Sequence, residues 1–125
     1  MYKIKEKKNE EMKAFVKENN WLPRTMGMDF GWGNGYVAIP KGHSLYGKDY
    51  NEIHDLIPSL DVNGGLTFSD TSDLFKSDDL PNDIEGHWVV GFDTSHSWDT
   101  LKMWSRERVI EETERLKSQL LNYEG

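Results

Sequence analysis

The chain has 125 residues, 15 Lys and Arg against 22 Asp and Glu, a formal net charge of −7 and no cysteine. That length fits one domain able to bury roughly two-thirds of its unfolded surface in a single core. Without cysteine, disulfides, thiolate catalysis and cysteine-held zinc or iron–sulfur centres are excluded, so a metal would have to rest on His, Asp, Glu and backbone oxygens. The acids are unevenly spread. Residues 1–48 carry a surplus of +4 and residues 100–125 balance, whereas residues 49–99 hold ten Asp and two Glu against Lys76, for −11. A phosphate-backbone binder needs a basic face, so direct nucleic-acid binding is not expected. The acidic middle suits either a solvated surface or a face offered to a basic partner. No stretch approaches 18 apolar residues, and MYKIKEKKNEEMK lacks the apolar run of a signal peptide, which predicts a soluble intracellular protein without membrane association.

Taken in chain order, residues 4–20 are rich in Lys and Glu, with Ile4, Met12, Phe15 and Val16 at helical spacing, which predicts an amphipathic helix ended by Asn19-Asn20. That helix could pack on its own sheet or on a second copy, which leaves a homo-oligomer open. Thr25 to Pro40 is aromatic and glycine-rich. Asn34-Gly35, between Phe30-Gly31-Trp32 and Tyr36-Val37-Ala38-Ile39, carries the signal of a tight hairpin turn. Asn63-Gly64 repeats it before Leu66-Thr67-Phe68. Residues 69–86, polar and acidic, are expected as a long excursion. His87 to Asp93 alternates as a strand, with Trp88, Val90 and Phe92 on one face and His87, Val89, Gly91 and Asp93 on the other. Val109, Ile110, Thr113, Leu116, Leu120 and Leu121 mark a helix from about Trp104 to Asn122, expected to cover the Trp88, Val90 and Phe92 face. The sum is one α+β domain over residues 1–125, a small antiparallel sheet with hairpins flanked by an N-terminal and a C-terminal amphipathic helix.

Three polar constellations stand out. In GFDTSHSWD, Asp93 leaves the end of a strand, and His96 and Asp99 follow in the turn before the last helix. Two carboxylates and an imidazole match the donors that manganese, iron or zinc take, and a carboxylate bonded to an imidazole makes a general base. The plainer alternative is that Asp99 or Ser97 caps the helix while Asp93 serves backbone donors. In PKGHSLYGKDY, Gly42 and Gly47 bracket a loop that offers His43, Tyr46 and Lys48 to a ligand, or else a surface turn. It lacks the spacing of a phosphate loop, and GWGNG precedes a strand rather than a helix, so it is no dinucleotide fingerprint. Trp32, Tyr36, Tyr46, Trp98 and Trp104 lie beside glycines, where rings line pockets as well as cores. His54 is read as a partly buried helix residue without a role.

The segments GYVAIPKGHSLYGKDY, DVNGGLTFSD and WVVGFDTSHSWD, in that order, resemble a family of small uncharacterised proteins encoded by bacteriophages and prophages. The resemblance covers about Gly31 to Asp99. It picks out Gly42, His43, Tyr46 and Gly47, then Gly64, Gly65, Thr67 and Ser69, then Gly91, Phe92, Asp93, His96 and Asp99. Members often have histidine where this chain has Asn63, and an amide is a poor replacement for an imidazole ligand. The resemblance implies a host cytoplasm and, by analogy, action on host molecules, including those of antiviral defence.

Three functions follow, in this order. The first is a non-catalytic binder whose three loops converge on one pocket, with His43, Tyr46, Lys48, Asp93, His96 and Trp98 around a small molecule such as a nucleotide-derived host signal. The −11 segment opposes a phosphorylated ligand unless Arg24, Lys41 or Lys48 turns inward. The second is an acidic protein that inhibits a host factor by occupying its basic surface. The third is a hydrolase using a divalent metal held by Asp93, His96 and Asp99.

Overall fold

The computed structural model describes residues 12–19, 30–75, 81, 84–96 and 99–123. Among them, four strands form one antiparallel sheet: β1 (Lys13–Glu18), β2 (Gly33–Ile39), β3 (Phe68–Thr71) and β4 (Trp88–Phe92), in the spatial order β1-β2-β4-β3. Two helices accompany it, α1 (Tyr50–Leu56) between β2 and β3, and α2 (Arg106–Leu121) after β4. The α+β class, the antiparallel sheet and the C-terminal helix are as the sequence leads one to expect.

β4 alternates as its sequence demands. Phe92, Val90 and the half-buried Trp88 join Val37, Ile39, Ile53, Val109, Leu116 and Leu120 in the larger core, while Val89 joins Tyr36, Ala38 and Ile84 on the opposite face. α2 therefore covers the Trp88 face. Its Val109, Leu116 and Leu120 are fully buried, each worth about 1.5–3 kcal/mol of hydrophobic transfer. The helix begins where Ser105 accepts the amide of Arg108, so Ser105 is the cap and Asp99 does not fill that place, while Ser97 lies outside the described residues. α1 starts with a reciprocal cap, Asp49 accepting from the Glu52 amide and Glu52 from the Asp49 amide.

Two sequence expectations are corrected. The helix read over residues 4–20 gives way, across Lys13–Glu18, to β1 paired along β2 from Lys13↔Ala38 to Glu18↔Gly33. Neighbouring Phe15 and Val16, two positions of one helical stripe, go instead to opposite faces of the sheet, Val16 to the α2 side and Phe15 to the other. Residues 1–11 lie outside the described residues. The Asn34-Gly35 turn is likewise absent, because β2 runs straight through it. Gly35 faces α2, where a Cβ would collide with the Thr113 hydroxyl and the Phe92 ring. The glycine answers to packing rather than to a turn.

The acidic excursion is also shorter than expected. Ser69 to Thr71 belong to β3, a one-turn helix spans Ser72–Leu74, and Phe75 and Ile84 return to pack on the second face. Asn63-Gly64 does form a turn, closed by the Gly65 amide on the Val62 carbonyl, with Gly64 and Gly65 at φ of 70° and 81°.

Candidate functional site

The end of β4 gathers the residues that GFDTSHSWD suggested. Asp93, His96 and Asp99 each offer a donor atom, all within 4.8 Å of one another. Asp99, whose side chain has no exposed surface, sits at the centre. Its Oδ2 lies 2.6 Å from His96 Nδ1 and accepts the His96 amide at 3.0 Å, and its Oδ1 accepts Asn63 Nδ2 at 3.1 Å. A short bond between a carboxylate and Nδ1 requires the shared proton on that ring nitrogen. Asp93 is engaged as well, through Oδ2 with the Thr67 hydroxyl at 2.9 Å and through Oδ1 with the Ser95 amide at 3.0 Å.

Asn63 joins this cluster to the helix. Its Nδ2 also reaches the Asp93 carbonyl at 3.4 Å, and its amide donates to Glu112 on α2 at 2.8 Å. Glu112 in turn grips the Arg115 guanidinium with two bonds of 3.0 Å, which hold that guanidinium above its ordinary pKa. Gly64 completes the fit, since a Cβ there would strike the His96 ring and its positive φ disfavours any other residue. Chemically, this is a saturated hydrogen-bonded clasp. A cation taking these oxygens would have to displace bonds already made to Asp99 and Asp93.

The His43 loop lies elsewhere. Tyr46 donates its hydroxyl to the Gly86 carbonyl at 2.9 Å, its ring is 6.3 Å from that of Trp88, and the Trp88 indole donates to the Lys48 carbonyl at 2.7 Å. Ile39, which leads into this loop, pairs with Trp88 at one end of β4, and Asp93 follows Phe92 at the other end. Extended strand geometry separates the two ends by roughly 16 Å. The expected convergence of the loops is therefore corrected: His43, Tyr46 and Lys48 form one group, and Asp93, His96 and Asp99 another. Trp98 and Arg24 lie outside the described residues. Trp32 and Trp104 stand beneath the Arg106 and Arg108 guanidiniums, 5.9 and 5.5 Å from their ring centres, at the start of α2. His54, on α1, accepts the Leu66 amide through Nε2 at 3.0 Å.

Within its loop, His43 accepts the Leu45 amide on Nδ1 at 3.1 Å, and burial lowers its pKa below the ordinary 6.5. The unfolded chain then binds this proton more readily than the folded one. Stability is expected to fall as pH drops through 6.5 towards the lowered folded value, and to stop falling below it. Urea midpoints of wild type and His43→Asn at about pH 7.5 and about pH 5.5 measure this. The variant, which keeps an acceptor for Leu45, should lose less on acidification; equal losses would contradict the assignment.

The second face of the sheet carries a cavity of about 500 Å³. Tyr36 stands over Gly91, 5.6 Å from the Phe68 ring, 5.1 Å from Phe75 and stacked at 5.3 Å on Phe15. Tyr36, Phe68 and Phe75 form the aromatic side of the cavity, and Lys17, Glu18 and Asn34 the polar side. Asn34 donates to the Tyr36 hydroxyl at 3.3 Å. Burial pushes the Tyr36 phenol above its ordinary pKa, more than Asn34 and Lys17 pull it down, and the Asp93 charge adds to the rise. Lys17 and Asn34 were invisible as site residues in the sequence. Had residues 33–39 been read as one strand, period-two alternation would have set Asn34 beside Tyr36. Comparison with protein-family models, curated proteins and solved structures gives no match to this chain.

Proposed function

We propose that the chain is a non-catalytic binding protein whose small-molecule ligand lies in the groove on the second sheet face, over Tyr36. The observation that supports this reading is the groove itself: about 500 Å³, within the roughly 300–1,000 Å³ of small-molecule sites, with aromatic rings on one side and a few polar groups on the other. The rings are held by one another, so the surface is preformed. In the phage setting that the three segments suggest, the ligand would be a small molecule of the host. A metal-assisted hydrolysis at Asp93, His96 and Asp99 is the weaker reading, because their donor atoms already bond to one another and to Thr67, Ser95 and Asn63. The test is an NMR-observed panel of flat neutral, anionic and cationic rings against the full chain. Binders should shift the signals of Tyr36, Phe68 and Phe75, and absence of any such shift at millimolar ring would end this reading.

A further inference from the structure

The start of α2 carries charges that its own helix does not favour. With Ser105 as the cap, Arg106 and Arg108 fall in the first turn, where the positive end of the helix dipole repels cations. Both guanidiniums lie over rings, Arg106 on Trp32 and Arg108 on Trp104, and the Trp32 amide joins the two residues by donating to the Trp104 carbonyl at 2.7 Å. A guanidinium laid on a ring keeps its N–H edge for a carboxylate. Arg108 has an exposed contact of 3.8 Å with Glu111, which is worth little. The turn just before α2 projects two apolar side chains into water, Leu101 at 45% exposure and Met103 at 55%, with the exposed Lys102 between them. Met, Trp and Arg gathered in this way are the residues enriched at protein interfaces.

The helix α1 presents the opposite sign. Ile53 is buried, while Glu52, Asp55 and Leu56 are exposed. Asp55 occupies the last turn, where the negative end of the dipole repels a carboxylate. Two faces thus couple exposed apolar side chains to opposite charges, and both include charges set against the polarity of their own helix. A local cost of this kind is compensated where the charges meet a partner. Within one chain the faces are held apart. The Tyr50 amide bonds Ser69 of β3 and His54 accepts the Leu66 amide, which places α1 on the β3 side, whereas the turn is joined to Trp32 on the lead into β2, and β4 lies between those strands.

We propose that the chain self-associates head to tail, the turn at residues 101–103 with Arg106 and Arg108 of one copy docking on the Glu52, Asp55 and Leu56 face of α1 in the next. The guanidinium edges meet the carboxylates, and Leu101 and Met103 cover Leu56. Such a contact is heterologous, so each added copy leaves one face unused and assembly continues as concentration rises. It uses no residue of the Tyr36 groove and is independent of ligand binding there.

The test is analytical ultracentrifugation of the full-length chain from micromolar to millimolar concentration, at low and at moderate salt. The average mass of wild type should climb with concentration at low salt and return towards one chain as salt screens the pairs. Met103→Gln with Arg106→Gln and Arg108→Gln removes one face, and Asp55→Asn with Leu56→Gln removes the other. All five positions are exposed, and the charge changes relieve the helix ends, so both variants should melt close to wild type. Each variant alone should associate at least about tenfold more weakly. An equimolar mixture should regain the contact and stop at two chains, because the intact α1 face of the first variant meets the intact turn of the second. Wild type that stays a single chain at low salt overturns the proposal, and anionic vesicles or an acidic protein bound by that single chain would give the turn a different partner. Association that either variant leaves unchanged, a mixture that stays monomeric, or a wild-type mass that stops at two chains overturns it as well.

Discussion

Replacing Asp99 with alanine is expected to lower the unfolding free energy by about 3 kcal/mol, a fall of roughly 10 °C in Tm for a domain of this size. The carboxylate accepts three hydrogen bonds, from the His96 amide, His96 Nδ1 and Asn63 Nδ2, at a position water does not reach. Each donor left unsatisfied costs about 1–3 kcal/mol. His96 is partly exposed, so its ring can regain water, which brings the total below the sum of three full penalties. Asp99→Asn keeps the shape and one acceptor oxygen and should recover part of the loss. Urea and thermal unfolding give the numbers, and a cost under about 0.5 kcal/mol, the range of neutral surface changes, would show that the clasp carries no stability. The same proteins separate the clasp from a metal centre. A metal held by Asp93, His96 and Asp99 would make chelator reproduce the loss in wild type, whereas a hydrogen-bonded clasp leaves the Tm of wild type the same with and without chelator.

The clasp explains why such a short motif organises so much of the chain. Asn63 connects the turn at Gly64 to Asp99, to the Asp93 carbonyl and, through Glu112, to α2. Thr67 ties the lead into β3 to Asp93. The turn, the segment after β4 and the last helix are thus fixed relative to one another beside the sheet end that supports the groove. Positioning of this kind is what a binding surface needs from its surroundings.

How far the sequence could be read depended on whether the signal was local. β4 and α2 each bury a face that their own periodicity declares, so Trp88, Val90 and Phe92 beneath Val109, Leu116 and Leu120 could be foreseen. Asp93, His96 and Asp99 could be grouped because six residues of chain hold them together. β1 could not be read this way. Its Lys and Glu satisfy a helical pattern, and only pairing with β2, some 20 residues away in the chain, makes it a strand. The place of His43 failed for the same reason: the β2–β4 register decides which end of the sheet its loop occupies. The groove has no local signature at all, since Lys17, Asn34, Tyr36, Phe68 and Phe75 come from three strands and a return loop.

Gly35→Ala should cost about 3 kcal/mol, and the pattern of related substitutions should show why. Gly35 lies across from Val16 on one side and Phe92 on the other, beneath Thr113 of α2. A methyl group placed there enters the space of the Thr113 hydroxyl and the Phe92 ring, and the sheet and helix must separate to admit it. Trimming the neighbour should restore part of the loss. In a double-mutant cycle with Thr113→Ala, the pair should be about 1 kcal/mol less destabilised than the sum of the single changes. Thr113 also donates to the Val109 carbonyl at 2.6 Å within its own helix, so the single Thr113→Ala change carries a small cost of its own that the cycle removes. Asparagine decides between packing and turn. At a hairpin turn with positive φ, Asn is tolerated better than Ala, so Gly35→Asn would be the milder change. Inside β2 the larger side chain meets the same obstruction with more atoms, and Gly35→Asn should be the more severe. Urea unfolding of the two variants side by side gives the order, and a milder asparagine would return Asn34-Gly35 to the turn that its sequence suggests.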